Sequence, residues 1–164
     1  MHAEWIEADA LLLQQVLSKL KAGEPVVAVG TTSARTLESL YWIGFRMHYN
    51  EYDPSDSIAV PQWYPYEQHR TLAPVTAYET LLRHLQEKQL PKLVTRTQII
   101  IAPGYTFRIL NGLVTNFHQP QSTLLLLVAA MVGPDWRNIY DYALHHDFRF
   151  LSYGDGCLLW SNQC

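Results

Sequence analysis

The chain has 164 residues, enough for one compact domain with a sizeable core. Its net charge of −3 is not the composition of a strongly basic nucleic-acid binder, and its longest apolar run, LLLLVAAMV at 124–132, is too short to span a bilayer. The charged share, 16%, is below the usual quarter, while five Trp and ten Tyr point to a large aromatic core or to stacking surfaces and partner contacts.

LLLQQVLSKL (11–20) has helical spacing of apolar residues, with Gly23 as the stop. PVVAV (25–29) is a short β-branched run that predicts a buried strand. After Gly30-Thr31-Thr32-Ser33 a second helix, ARTLESLYWI, is expected to end near Gly44. From 46 to 71 the periodicity breaks into a Tyr-, Pro- and Asp-rich stretch, read as a long ordered loop with a short strand at Ser57–Val60. Helical spacing returns over Pro74–Glu87, and QIII (98–101) predicts a strand. Asn111-Gly112 between TFRIL and GLVTNF is the strongest local signal for a hairpin.

Ser122-Thr123 caps the apolar 124–132 helix, which lacks a polar face and is expected to be buried on nearly all sides. Pro134 and Asp135 start another helix, WRNIYDYALHH, and CLLWS (157–161) reads as a strand. The pattern predicts an α/β fold, a mixed sheet flanked by helices, as a single domain over residues 1–164. Lys88, Lys92, Arg96 and Arg108 lie close in sequence and read as an ordinary solvated face. Cys157 and Cys164 are the two cysteines, and the amino terminus, MHAEWIEAD, has no apolar core, so a reducing cytoplasm and no disulfide framework are expected. No CxxC or HExxH spacing occurs and the adjacent His145 and His146 diverge on a helix, so no metal site is expected.

Three constellations carry candidate chemistry. In VAVGTTSAR, a strand delivers Gly30, with the hydroxyls of Thr31, Thr32 and Ser33 at a helix start whose amides and dipole suit an anion. Arg35 adds a possible charge-assisted hydrogen bond. The bland alternative is a plain N-cap, since the glycine spacing matches neither a P-loop nor a dinucleotide fingerprint. In Asn116-Phe117-His118, His118 can move a proton near neutral pH and Asn116 can orient it or hold a carbonyl; alone, such a histidine is more often structural. In Arg149 with Ser152-Tyr153-Gly154-Asp155, Tyr153 can stack on a base and Asp155 can accept ribose hydroxyls, against a plain turn with an Arg149–Asp155 ion pair. Glu38 is a further carboxylate, with solvent exposure as its ordinary reading.

VGTTSARTLES, IIIAPGYTFRILNGLVTNFHQPQSTLLLLVAAMVG and FRFLSYGDG closely resemble the C-terminal half of the S-adenosylmethionine:tRNA ribosyltransferase-isomerase family, and MHAEW resembles that family's Met-His-x-Glu segment. The similarity is loose only over 46–91. The family combines an α/β domain with a β-barrel domain and is roughly twice this length, as two domains imply. The chain is therefore expected to be a truncated or short homologue without the N-terminal half and barrel.

The resemblance implies queuosine biosynthesis. The ribosyl moiety of S-adenosylmethionine is transferred to 7-aminomethyl-7-deazaguanine in tRNA and isomerised, giving epoxyqueuosine. It also implies S-adenosylmethionine as donor substrate, no metal, tRNA as partner, no membrane, a cytoplasmic setting and a monomeric full-length form. That chemistry calls for a base near C5′, donors toward departing adenine and a pocket for the methionine carboxylate. On the matched motifs these roles fall to His118 for proton transfer and to Asp155 and Tyr153 for the ribose or adenine. The turn of Gly30, Thr31, Thr32 and Ser33, with Arg35, would take the methionine carboxylate or a tRNA phosphate. Asn116 and Arg149 complete the substrate-binding set.

Four positions depart from the family pattern: Gln98 replaces a usual Asp, Gly156 an Ala, Gln119 an apolar residue and Ala34 a larger apolar residue. Together they mark a divergent subfamily. The same motifs also fit a non-catalytic homologue that binds S-adenosylmethionine, a nucleoside or RNA, or a structural chain whose tyrosine-rich loop holds a partner.

Overall fold

Asp9 ends one element and starts the next. Strand β1 (Glu4–Asp9) runs into helix α1 (Ala10–Ala22), and the Asp9 carboxylate accepts the Leu12 amide at 2.8 Å as the N-cap. Gly23 stops the helix in the left-handed conformation, as expected. This computed structural model describes residues 2–56 and 58–162; Met1, Ser57, Gln163 and Cys164 lie outside the described residues. The expected strand at Ser57–Val60 is thus seen from Ile58 onward, as an isolated parallel bridge between Val60 and Thr97.

Strand β2 (Val27–Val29) leads through Gly30 into helix α2 (Thr31–His48), which continues past Gly44. Helix α2 packs against α3 (Pro74–Glu87), and Gly44 is the point of closest approach: the Ala77 backbone occupies the space a Cβ would need. A helix-favouring glycine-to-alanine change is therefore expected to harm this protein. Gly44→Ala should lower stability by roughly 1–3 kcal/mol, because the overpacked helices must separate. An unchanged urea midpoint would contradict this contact. The intervening loop is ordered by side chains: Arg46 donates to the Ala59 carbonyl at 2.5 Å and the Tyr64 hydroxyl to Glu51 at 2.6 Å.

Three strand expectations change, the first at β2, which is buried only at Ala28, with Val27 and Val29 exposed on its other face. Strand β3 is Lys92–Thr97, not 98–101, and it pairs antiparallel with β1, Glu4 opposite Thr97 through Asp9 opposite Lys92. Ile99, Ile100 and Ile101 are buried but outside a ladder; the Gln98 and Ile100 amides reach the carbonyls of Val60 and Gln62 in the long loop. An apolar run reports burial, and here burial comes without a neighbouring strand. The expected Asn111-Gly112 hairpin is also absent. Strand β4 (Gly112–Asn116) pairs in parallel with β2 and antiparallel with β5 (Gly156–Trp160), giving a mixed sheet in the order β2-β4-β5.

The reason lies on α2. The Glu38 carboxylate accepts the amides of Arg108, Ile109 and Leu110 at 3.1, 2.9 and 3.0 Å, so this segment has no amides left for a ladder. Asn111 instead seats the parallel strand: its side chain accepts the Val26 amide at 2.9 Å. Glu38 is fully buried, contrary to the surface reading.

Helix α4 (Thr123–Val132) is capped by the Ser122 hydroxyl, which accepts the Leu124 amide at 3.1 Å. Residues 127–132 are buried as expected, but Leu126 in the first turn is exposed. A short helical turn at Gly133–Asp135 leads into α5 (Trp136–His145). The core joins the buried face of the mixed sheet, Ala28, Leu113 and Leu159, to the aromatic side of α2, Tyr41, Trp42 and Phe45. Of the Trp and Tyr residues, Tyr41, Trp42, Tyr78, Tyr105 and Tyr140 are buried in the core, whereas Trp5, Trp63, Trp160, Tyr142 and Tyr153 are exposed.

Candidate functional site

Three chain segments meet at one end of the mixed sheet, around a cleft of about 480 Å³. The first is the turn from β2 into α2. Gly30 adopts φ 89° and ψ 150°, a region essentially closed to residues with a Cβ, and its amide donates to the Val114 carbonyl at 2.8 Å. This aims the start of an 18-residue helix at the cleft, with Gly30 and Thr31 in the wall. No side chain caps that helix start, so its partial positive charge is left for whatever enters. Thr32 and Ser33 are exposed beside the wall rather than in it. Arg35 points elsewhere: it is buried, donates to the Ile99 carbonyl at 3.2 Å and pairs with Glu4 at 2.5 Å.

The second segment is the end of β4. Asn116 donates its side-chain amide to the carbonyls of Gly154 and Asp155 at 3.2 and 3.4 Å, tying the strand to the last loop. Phe117 inserts among Tyr140, Phe148 and Phe150, with ring centroids 5.4–5.5 Å away. The His118 amide donates to the Tyr140 hydroxyl at 3.0 Å. With its backbone held, the His118 imidazole stands 2.8 Å from the Thr115 hydroxyl through Nε2. Burial holds His118 below its ordinary value of 6.5, so the neutral ring is favoured at neutral pH. Among the described residues lining the cleft, His118 alone titrates near neutrality.

The third segment is 149–156. Leu151 sits at φ 71°, rare for a bulky residue, and its amide donates to the Phe117 carbonyl at 2.9 Å. Leu151, Ser152 and Gly156 line the cleft, whereas Tyr153 stands 97% exposed outside its wall. The Asp155 carboxylate turns away from the cleft to the Arg149 amide at 2.8 Å and guanidinium at 3.1 Å, the ion pair that was its plainer reading. Those bonds hold Asp155 below the usual carboxylate range.

The motifs thus converge, but not every named residue enters the cleft. Gly30, Thr31, Asn116 and His118 do; Thr32, Ser33, Arg35, Arg149, Tyr153 and Asp155 do not line it. Thr115, Gln119, Ser122 and Ser152 line it without having been singled out as binding residues. Thr115 gives no sequence signal, since a threonine in a strand reads as an ordinary β-former.

A profile of the family described as "Queuosine biosynthesis protein" matches residues 1–159. The chain belongs to that family. A Cereibacter sphaeroides protein named S-adenosylmethionine:tRNA ribosyltransferase-isomerase is 35% identical over 160 residues, covering 97% of this chain and 34% of the relative. A Xanthomonas euvesicatoria pv. vesicatoria protein of the same name is 34% identical, over 99% of this chain and 35% of its own length. The crystal structure of S-adenosylmethionine tRNA ribosyltransferase from Thermotoga maritima superposes with a TM-score of 0.61 at 26% identity, covering 94% of this chain and 39% of that one. The chain therefore spans about a third of the length of the curated relatives it matches, a smaller share than the half its motifs suggested.

Within the queuosine biosynthesis family the departures sort by position. Gln119 and Gly156 line the cleft, so they bear on what it holds. An alanine fits at 156, where a Cβ would lie 3.6 Å from the Thr115 carbonyl in ordinary contact. Ala34 is buried and the Gln98 amide bonds to Val60, both away from the cleft lining. Among the described residues no helix is long and apolar enough to cross a membrane, and no three potential metal ligands cluster.

Proposed function

We propose that this chain carries the proton-transfer and donor-binding part of an S-adenosylmethionine:tRNA ribosyltransferase-isomerase. The reaction would move the ribosyl group of S-adenosylmethionine onto 7-aminomethyl-7-deazaguanine in tRNA and isomerise it to epoxyqueuosine, in the cytoplasm and without a metal. The full-length form would be a monomer. The carrying observation is that the family's motif segments converge on one cleft in which His118 is the group able to exchange protons near neutral pH.

The sulfonium of the donor acidifies the neighbouring C5′ hydrogen, and the neutral His118 imidazole is the acceptor for that proton. The α2 N-terminus at Gly30 and Thr31 favours the methionine carboxylate, with Thr32 and Ser33 at its margin. Tyr153 and the Arg149–Asp155 pair form the rim against adenine, ribose or the incoming tRNA. Arg35 acts on this site from behind, by fixing α2 to the Ile99 carbonyl and to Glu4.

The test is adenine release from S-adenosylmethionine with tRNA bearing 7-aminomethyl-7-deazaguanine. The chain is assayed alone and with the remaining two thirds of a relative supplied. Release in either assay supports the reading. No release in both, from folded protein that still binds S-adenosylmethionine, replaces it with a non-catalytic binding homologue.

A further inference from the structure

The mixed sheet has one buried and one uncovered face. Alternate residues Ala28, Leu113 and Leu159 point into the core. On the opposite face Val27, Gly112 and Trp160 form one cross-strand row, and Val29, Val114 and Leu158 the next. A Cβ on Gly112 would meet the Trp160 ring at 3.2 Å and the Val27 methyl at 3.3 Å, so these side chains close over the glycine. Val29 is 71% exposed, Leu158 53% and Trp160 51%. These two rows hold no charged residue, which is unusual for a solvated sheet surface. Val29 and Val114 also line the candidate cleft, so this surface and the cleft are continuous.

We propose that this face is the docking surface for the polypeptide that makes up the other two thirds of the family's chain. The curated relatives above match over nearly all of this chain, yet about two thirds of their own length lies outside the match, in the same polypeptide. An uncharged sheet face requires an apolar cover, and a cover here also closes the open side of the cleft. The occupant supplies the missing wall of the site, whether it is continuous with this chain or separate from it. The inference rests on family membership and on the sheet, not on the proposed activity, and its test reads binding alone.

This chain is co-expressed with the tagged remainder of the Cereibacter sphaeroides relative, and complexes are isolated and weighed by sedimentation. The same remainder co-expressed with the relative's own matched third validates the partner. The expected result is a 1:1 complex that Leu158→Glu or Val27→Glu weakens ~100-fold or more, because a charge is buried without a partner. Both variants, at solvent-exposed positions, should keep the thermal midpoint of the chain alone. Three outcomes overturn the proposal. One is no complex with this chain when the relative's own third binds. Another is a complex indifferent to both substitutions. The third is a homodimer of this chain that Leu158→Glu dissociates, which would make a second copy the occupant.

Discussion

Replacing Glu38 with alanine is expected to destabilise the fold by about 3–5 kcal/mol, the cost typical of breaking a buried charged network from one side. The Glu38 carboxylate is wholly buried and accepts the Tyr105 hydroxyl at 2.7 Å as well as the amides of Arg108, Ile109 and Leu110. Tyr105 in turn accepts the Trp42 indole N–H at 2.9 Å. Removing the carboxylate leaves the buried Ile109 and Leu110 amides and the Tyr105 hydroxyl, with the part-buried Arg108 amide, without their acceptor, each buried donor costing about 1–3 kcal/mol if unrelieved. Burial pushes the Glu38 pKa up, and the same four donors pull it back toward the ionised form.

Glu38→Gln should cost less with the same sign, since one carbonyl oxygen survives while the new NH₂ opposes an amide donor. Urea unfolding of both variants checks the order; an alanine variant as stable as wild type would remove the network from the account of the fold. The effect extends to the cleft, because residues 108–110 feed directly into β4, which carries Asn116 at its end.

The same carboxylate shows why local reading stopped where it did. Helices α1, α3 and α4 were legible because their periodicity and ends are written within a few residues, Gly23, Pro74 and Ser122, although the Asp9 cap of α1 went unread. Asn111-Gly112 was legible as a turn but misleading as a hairpin, since the groups competing for the amides of 108–110 come from α2, some seventy positions away. Strands β1 and β3 alternate, with Ile6, Ala8 and Leu93 inward, but their outward Glu, Lys and Arg hide a two-stranded pair among polar residues. The cleft itself was visible as three motif segments. What the motifs do not encode is side-chain direction: Asp155 pairs with Arg149 and Arg35 with Glu4, and neither lines the cleft.

His118→Ala is expected to slow adenine release by roughly 100- to 10,000-fold in the reconstituted assay, the span that positioned acid–base groups contribute. Binding of S-adenosylmethionine should stay within a few-fold, because in the proposed reading the ring handles a proton while the α2 terminus holds the donor. The pH dependence follows from burial. His118 titrates below 6.5 in the folded state, so its neutral form persists at neutral pH and the acid limb of the rate profile falls below that value. The linkage has the matching sign: the unfolded chain takes up the proton first, so stability is lost as pH drops from 6.5 toward the lowered folded value.

Thr115 supplies the control. Its hydroxyl meets Nε2 at 2.8 Å, and the direction of that hydrogen bond goes with the tautomer of the ring. Thr115→Val should shift the acid limb and alter the tautomer seen by nitrogen NMR, and Thr115→Ser should restore both. An unshifted limb in Thr115→Val together with near-normal turnover in His118→Ala would take the histidine out of the reaction and leave the cleft as a binding site alone.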